Sequence, residues 1–142
     1  MAVRPELAWT VTDHVGHAHS LLLNVAAKVF VDEDVSVPEF VALAILSEVG
    51  QDGLSQTEWG RFQGVSRQRA HVVTKTLAAS GLVLVRRHGR SSTIRLSKKG
   101  ERFVAKWKPA LSKALATQFA GLNAKEAQTL LRLLQKLVAA DV

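Results

Sequence analysis

The chain has 142 residues, 47% of them apolar, no cysteine and a formal net charge of +7. That is enough apolar material for one cored domain and too much for disorder, while the missing cysteines exclude a disulfide framework, an iron–sulfur site and a thiol switch. No run approaches the roughly 18 apolar residues of a membrane span, and the N-terminus has no secretory apolar core, so a cytoplasmic protein with an acidic partner is expected.

In chain order, a first helix is predicted over Glu6–Phe30. Pro5 suits its first turn, and Leu21, Leu22, Val25 and Val29 give it an apolar stripe. Asp32-Glu33-Asp34 then reads as a solvated acidic loop. Ser36 and Glu39 form a capping box that opens a second helix through Phe40, Leu43, Ala44 and Leu46 to Gly50. Gln51-Asp52-Gly53 is a turn. Ser55 and Glu58 form another capping box, with Leu54 and Trp59 at the two positions of a hydrophobic staple. This third helix should end near Gln63-Gly64.

Ser66 is the expected N-cap of a fourth helix. At about 100° per residue, Ala70, Val73 and Leu77 share one face. Gln68, His71, Val72 and Lys75 point the other way, flanked by Arg67 and Arg69. Gly81 should stop this helix. Leu82–Arg87 reads as a strand, His88–Ser92 as a turn, and Thr93–Ser97 as a second, half-buried strand. A long helix begins after Ser97 and carries Phe103, Trp107, Leu111, Leu115 and Phe119 at four-residue spacing. Pro109 should kink it and Gly121 end it. Asn123 and Glu126 cap a last helix with an apolar seam at Leu130, Leu131, Leu134, Leu137 and Val138. That seam is wide for one short terminal helix. It suits packing on the first helix or a dimer interface.

The positive charge is not spread evenly. Residues 54–100 hold ten basic side chains and one acid, Glu58, a net of +9, whereas the rest of the chain nets −2. Such clustering marks a polyanion-binding surface. A short helix, a glycine turn and a second helix with a basic outer face is a helix-turn-helix arrangement. The two strands with Arg87, His88 and Arg90 near their tip add a basic wing that can reach phosphates or the adjacent minor groove.

With the wing included, the chain resembles the MarR family of winged-helix transcription regulators over nearly its whole length. The segments that carry the resemblance are Gly53-Leu54-Ser55-Gln56-Thr57-Glu58, Gly64-Val65-Ser66-Arg67, Leu77 through Gly81-Leu82-Val83, and Arg90-Ser91 to Ile94-Arg95-Leu96-Ser97-Lys98-Lys99-Gly100. Gly121-Leu122 to Glu126 and Leu130 to Leu137 also resemble the family's final dimerisation helix. The family's Asp-x-Arg wing signature stands here as His88-Gly89-Arg90, with His88 in the Asp place and a hairpin a few residues short.

The expected fold class is mainly α with a two-stranded β-wing: a winged helix-turn-helix plus N- and C-terminal dimerisation helices. Residues 1–142 form a single domain, with the DNA-binding part at 36–100 and dimerisation helices at 1–31 and 101–142. The resemblance implies a homodimer on a double-stranded DNA operator, repression, and release by a small aromatic or anionic effector. A non-specific architectural nucleic-acid binder is the alternative. The expected DNA face is Ser55, Gln56, Ser66, Arg67, Gln68, Arg69, His71, Val72, Lys75, Arg87 and Arg90. Ser66 at a helix N-terminus suits a phosphate. Arg67 and Arg69 suit phosphate or guanine, Gln68 adenine, and Val72 a thymine methyl. Trp9, His17 and Trp107 are expected nearest an effector pocket, where the family would place it. No cofactor, metal ion, membrane contact or enzymatic activity is expected. His14 and His17 share a helical face, but His19 points about 140° from His14 at the helical pitch. No nucleophile elbow or phosphate loop is present.

Overall fold

The computed structural model describes residues 1–30 and 33–140. Asp32, one of the three residues expected in the acidic loop, lies outside them, as do the last two residues of the expected C-terminal dimerisation segment. The chain divides into two compact units, Ala26–Leu111 and Met1–Val25 with Ser112–Val142.

The first unit contains the end of helix α1 (Pro5–Val29), helix α2 (Val37–Val49) and a 3-10 turn at Gly50–Asp52. There follow strand β1 (Leu54–Ser55), helices α3 (Gln56–Gln63) and α4 (Arg67–Ala79), strands β2 (Val83–His88) and β3 (Ser91–Leu96), and the start of helix α5 (Lys98–Ala116). The capping signals do their expected work. Ser36 with Glu39 and Ser55 with Glu58 are complete capping boxes, and the Ser66 hydroxyl accepts the Arg69 amide. Such caps are typically worth about 0.5–2 kcal/mol each. Helix α3 closes through Val65 N–H to Gly60 O and Gly64 N–H to Arg61 O, and α4 closes the same way through Leu82 to Leu77 and Gly81 to Ala78. This double closure is a Schellman motif. It fixes the turn between α3 and α4 and the exit from α4 toward β2.

The sheet has three strands, not two, in the antiparallel order β1-β3-β2. Leu54 and Ser55 pair with Ile94 and Thr93. As a strand, these two residues are too short to show alternation, and their staple and cap roles mask them. Gly53 makes the pairing possible. Its φ is +67°, and a Cβ there would run into the Ile94 carbonyl oxygen. The wing turn is also tighter than the five residues expected. Only Gly89 and Arg90 separate β2 from β3, and Gly89 has φ +63°. Glycine with positive φ at the first central position is the type II′ pattern, which matches the twist of a hairpin. The Ser91 hydroxyl donates to His88 O across it, at 3.0 Å.

The core of this unit runs behind the helix-turn-helix. Phe40, Leu43, Leu46, Trp59, Leu77 and Ile94 are its largest fully buried side chains. Trp59 donates its indole N–H to Ala42 O at 2.8 Å, tying α3 to α2. Thr74 is buried, and its hydroxyl lies 3.0 Å from Gln56 Oε1 and 2.9 Å from Ala70 O. The first of these contacts ties α4 to α3. Phe30, Phe40, Phe103 and Trp107 form an aromatic cluster with centroid separations of 5.0–6.4 Å, within the range of favourable ring pairs.

The second unit holds most of α1, the end of α5, a 3-10 turn at Thr117–Phe119 and helix α6 (Ala124–Ala139). The α-helical part of α5 runs through Pro109 and stops at Ala116, short of Gly121; the 3-10 turn fills the gap. Asn123 and Glu126 complete a third capping box. Val15, Ala18 and Leu22 of α1 and Leu130, Leu131 and Leu134 of α6 line an apolar cleft of about 540 Å³. No residue of α6 is buried.

Replacing Trp59 by Phe should remove the indole donor that Ala42 O accepts in addition to its bond within α2, and open a small cavity. The expected cost is about 2–4 kcal/mol, read as a lower urea midpoint with an unchanged slope.

Candidate nucleic-acid interface

Helix α4 is buried along Ala70, Val73, Thr74 and Leu77, so its opposite face must be exposed. Arg67, Gln68, His71 and Lys75 occupy that face and form one wall of a groove of about 1150 Å³. The other walls are Ser55, Gln56 and Thr57 at the start of α3, and Val85, Arg87 and Arg90–Ser92 of the hairpin. Four permanent cations, Arg67, Lys75, Arg87 and Arg90, line it together with His71, and among the described residues no carboxylate does. The single acid of the basic segment, Glu58, has an Oε1 that accepts the Ser55 amide at 3.2 Å. A concave wall of one sign focuses potential and attracts the opposite charge.

The first turn of α4 carries this further. It contains no acid and holds two arginines, Arg67 and Arg69. Basic residues at a helix N-terminus oppose the macrodipole, at a cost typically near 0.3–1 kcal/mol each. The helix does not need them for its own stability; Ser66 supplies the cap. An anion at this end would reverse the sign of the effect, since free amides, helix dipole and guanidinium groups would then act together.

Eight of the eleven residues expected on the DNA face line the groove: Ser55, Gln56, Arg67, Gln68, His71, Lys75, Arg87 and Arg90. Arg69 and Val72 are exposed on α4 but outside its walls, and Ser66 is exposed at the N-cap. On a helix Val72 is about 100° from His71 and Arg69 about 100° from Gln68, which turns both toward the side of the groove. Thr57, Thr74, Ala78, Val85, Ser91 and Ser92 also line it and were not anticipated. Helical spacing from Arg67 and Lys75 contains the signal for Thr74 and Ala78. Strand alternation from Arg87 contains the signal for Val85. Gln56 is held from behind: its Oε1 faces Thr74, and its Nε2 is buried without a hydrogen-bond partner among the described residues.

The wing base has its own brace. Arg95 Nη1 donates to Gln51 Oε1 at 2.8 Å, and Gln51 Nε2 donates to Glu101 Oε1 at 3.1 Å. This chain links β3, the 3-10 turn and α5. At the tip, His88 and Ser91 close the ladder, and the two-residue turn follows directly.

The residues expected near an effector stand in different surroundings. Trp107 is half-buried in the aromatic cluster, with Lys106 Nζ 5.1 Å from its ring centroid. Trp9 and His17 lie on α1 in the second unit, Trp9 at 72% exposure. His14 Nδ1 lies 2.8 Å from Thr10 O. Among the described residues, no group of three or more His, Asp or Glu side chains is placed to hold a metal ion. No helix among them is long and apolar enough to cross a membrane.

No family model matches the chain, and no curated protein matches it in sequence. Solved structures do match. A MarR family transcriptional regulator from Silicibacter pomeroyi superposes with a TM-score of 0.84 at 16% identity, over 99% of this chain and 95% of that one. The PcaV transcriptional regulator from Streptomyces coelicolor, solved with its natural ligand, gives 0.71 at 24% identity over the whole of both chains. A MarR family protein from Mycobacterium tuberculosis, in complex with salicylic acid, gives 0.67 at 26% identity, over 87% of this chain and 92% of that one. Element order, wing and terminal helices thus converge on one architecture: the chain has the winged helix-turn-helix fold of the MarR family transcriptional regulators.

Proposed function

We propose that this chain is a member of the MarR family and a sequence-specific, double-stranded DNA-binding transcriptional regulator, acting in the cytoplasm as a homodimeric repressor released by a small ligand. The observation that carries the reading is the groove in front of α4: four permanent cations, no carboxylate among the described residues, and a capped helix whose first turn is basic. Arg67 and Gln68 at the start of α4 supply base readout, with Lys75 and His71 on the backbone. Arg87 and Arg90 hold phosphates from the wing. The non-specific architectural reading differs in one measurable respect. A regulator should prefer its selected duplex over unrelated DNA by roughly 10³-fold or more. Selection from a random duplex pool followed by competition titration decides between them.

Arg67→Ala should lower discrimination between the selected duplex and its point variants by about 1–3 kcal/mol at the affected position. Arg90→Ala should weaken binding to all duplexes alike and reduce the salt slope by about one unit. A changed sequence preference with an unchanged slope in Arg90→Ala would show that the wing reads bases.

The dimer reading rests on apolar surface. Leu131, Leu137 and Val138 of α6 are 56%, 60% and 73% exposed, and Leu7 and Trp9 of α1 are also open. Sedimentation should give a dimer at micromolar concentration, with unfolding that depends on protein concentration. A stable folded monomer is the contrary result.

The effector reading draws on the Mycobacterium tuberculosis relative, which was solved with salicylic acid. We infer that a small aromatic acid acts here too, near Trp107, with Trp9 and His17 as the further candidates. Release requires tighter binding to the DNA-incompetent form, and a tenfold loss of DNA affinity needs only about 1.4 kcal/mol of difference. A panel of aromatic acids should therefore contain a compound that alters tryptophan fluorescence and releases the selected duplex over the same concentration range.

A further inference from the structure

The hairpin has a second face. Side chains alternate along a strand, so Val83, Val85 and Arg87 face one way and Leu84, Arg86 and His88 the other. The register sets Leu84 opposite Arg95 and Arg86 opposite Thr93. Arg86 and Arg95 are therefore diagonal neighbours on the face turned away from the α4 groove, with backbones roughly 7–8 Å apart. A separate concavity of about 430 Å³ lies there, and Gln51, Asp52, His88 and Thr93 complete its polar wall. It holds two guanidinium groups and His88 against one carboxylate, Asp52.

Among the described residues, the hydrogen bond of Arg95 goes to an amide and not to a carboxylate. Its Nη1 donates to the neutral amide of Gln51, and Glu101 is reached only through that amide. The contact orients the head group without neutralising it. Arg86 is exposed. Like charges that are neighbours on one sheet face repel. An anion between them removes the repulsion, and guanidinium forks suit phosphate oxygens in particular.

We propose that this outer face is a second phosphate-binding site, so that the wing grips duplex DNA from both of its sides. The proposal rests on the regulator reading above. What selects a duplex over a free anion is the pairing of faces: Arg87 and Arg90 lie on the groove side, Arg86 and Arg95 on the outer side of the same blade. One partner satisfies both when it carries phosphates on either side of the blade. A groove of a duplex, bounded by two backbone strands, does so.

The test uses the full chain and a duplex selected by the wild-type protein from a random pool. The slope of log K against log salt is measured for wild type, Arg86→Gln, Arg86→Lys and Lys125→Gln. Arg86→Gln should lower the slope by about one unit per protomer while leaving the ranking of sequences unchanged. Arg86→Lys should restore the slope. Lys125→Gln removes the same charge from α6 and should leave it unaltered. A wild-type slope in Arg86→Gln, or an equal fall in Lys125→Gln, overturns the proposal. So does thermal protection by inorganic phosphate that is lost in Arg86→Gln while the duplex slope stays the same, which assigns the site to a free anion. A wild-type chain that selects no duplex overturns the regulator reading itself, whereas selection with an Arg86-independent slope overturns only this one.

Discussion

The groove side of this protein depends on a bond at its back. The indole of Trp59 is fully buried and donates to Ala42 O, so helix α3 is anchored to α2 by a hydrogen bond as well as by area. In a low-dielectric interior such a bond is costly to break, because the carbonyl finds no water in exchange. From α3 the constraint passes to α4 by the Thr74 hydroxyl and the Gln56 amide. The basic face of α4 can therefore be kept free of structural duties. Its arginines and lysine are not asked to hold the helix in place.

The wing is tied in separately. Strand β1 is only two residues long, yet it joins the α3 capping site to β3 and makes the hairpin part of the same body as the helix-turn-helix. Gly53 admits that approach, since any larger residue would meet the Ile94 carbonyl. The Gln51 amide then connects Arg95 to Glu101, so β3 and α5 share a polar junction. Groove and wing are held by different devices, one mainly apolar and one mainly polar.

Much of this was legible in the sequence, because the signals are local. Each capping box pairs residues three apart, and all three formed. The apolar face of α4 follows from pitch alone, and so does the exposure of Gln68, His71 and Lys75. Whatever depended on a distant partner was hidden. Strand β1 exists only because Ile94 lies beside it, some 40 residues on. The Arg95–Gln51–Glu101 junction and the Thr74–Gln56 contact are likewise products of tertiary placement. The turn at Gly89-Arg90 is shorter than its composition suggests for a different reason: His88, Ser91 and Ser92 are not among the residue types enriched in strands, and the ladder holds them regardless. The outer-face pairing of Arg86 with Arg95 required the register, which composition does not contain.

The shortness of the wing turn has an entropic meaning. In a hairpin with a long tip, each loop residue that becomes ordered on a duplex gives up backbone freedom worth about 1–2 kcal/mol. Here the ladder runs to His88 and Ser91, leaving two residues between its ends, and Gly89 already holds the left-handed geometry of the turn. That loss is taken when the chain folds, not when a partner arrives. What remains to be immobilised is the rotamer freedom of a few long side chains. A blunt wing thus trades reach for readiness: it extends less far than a long one, but it meets a surface with its backbone already set.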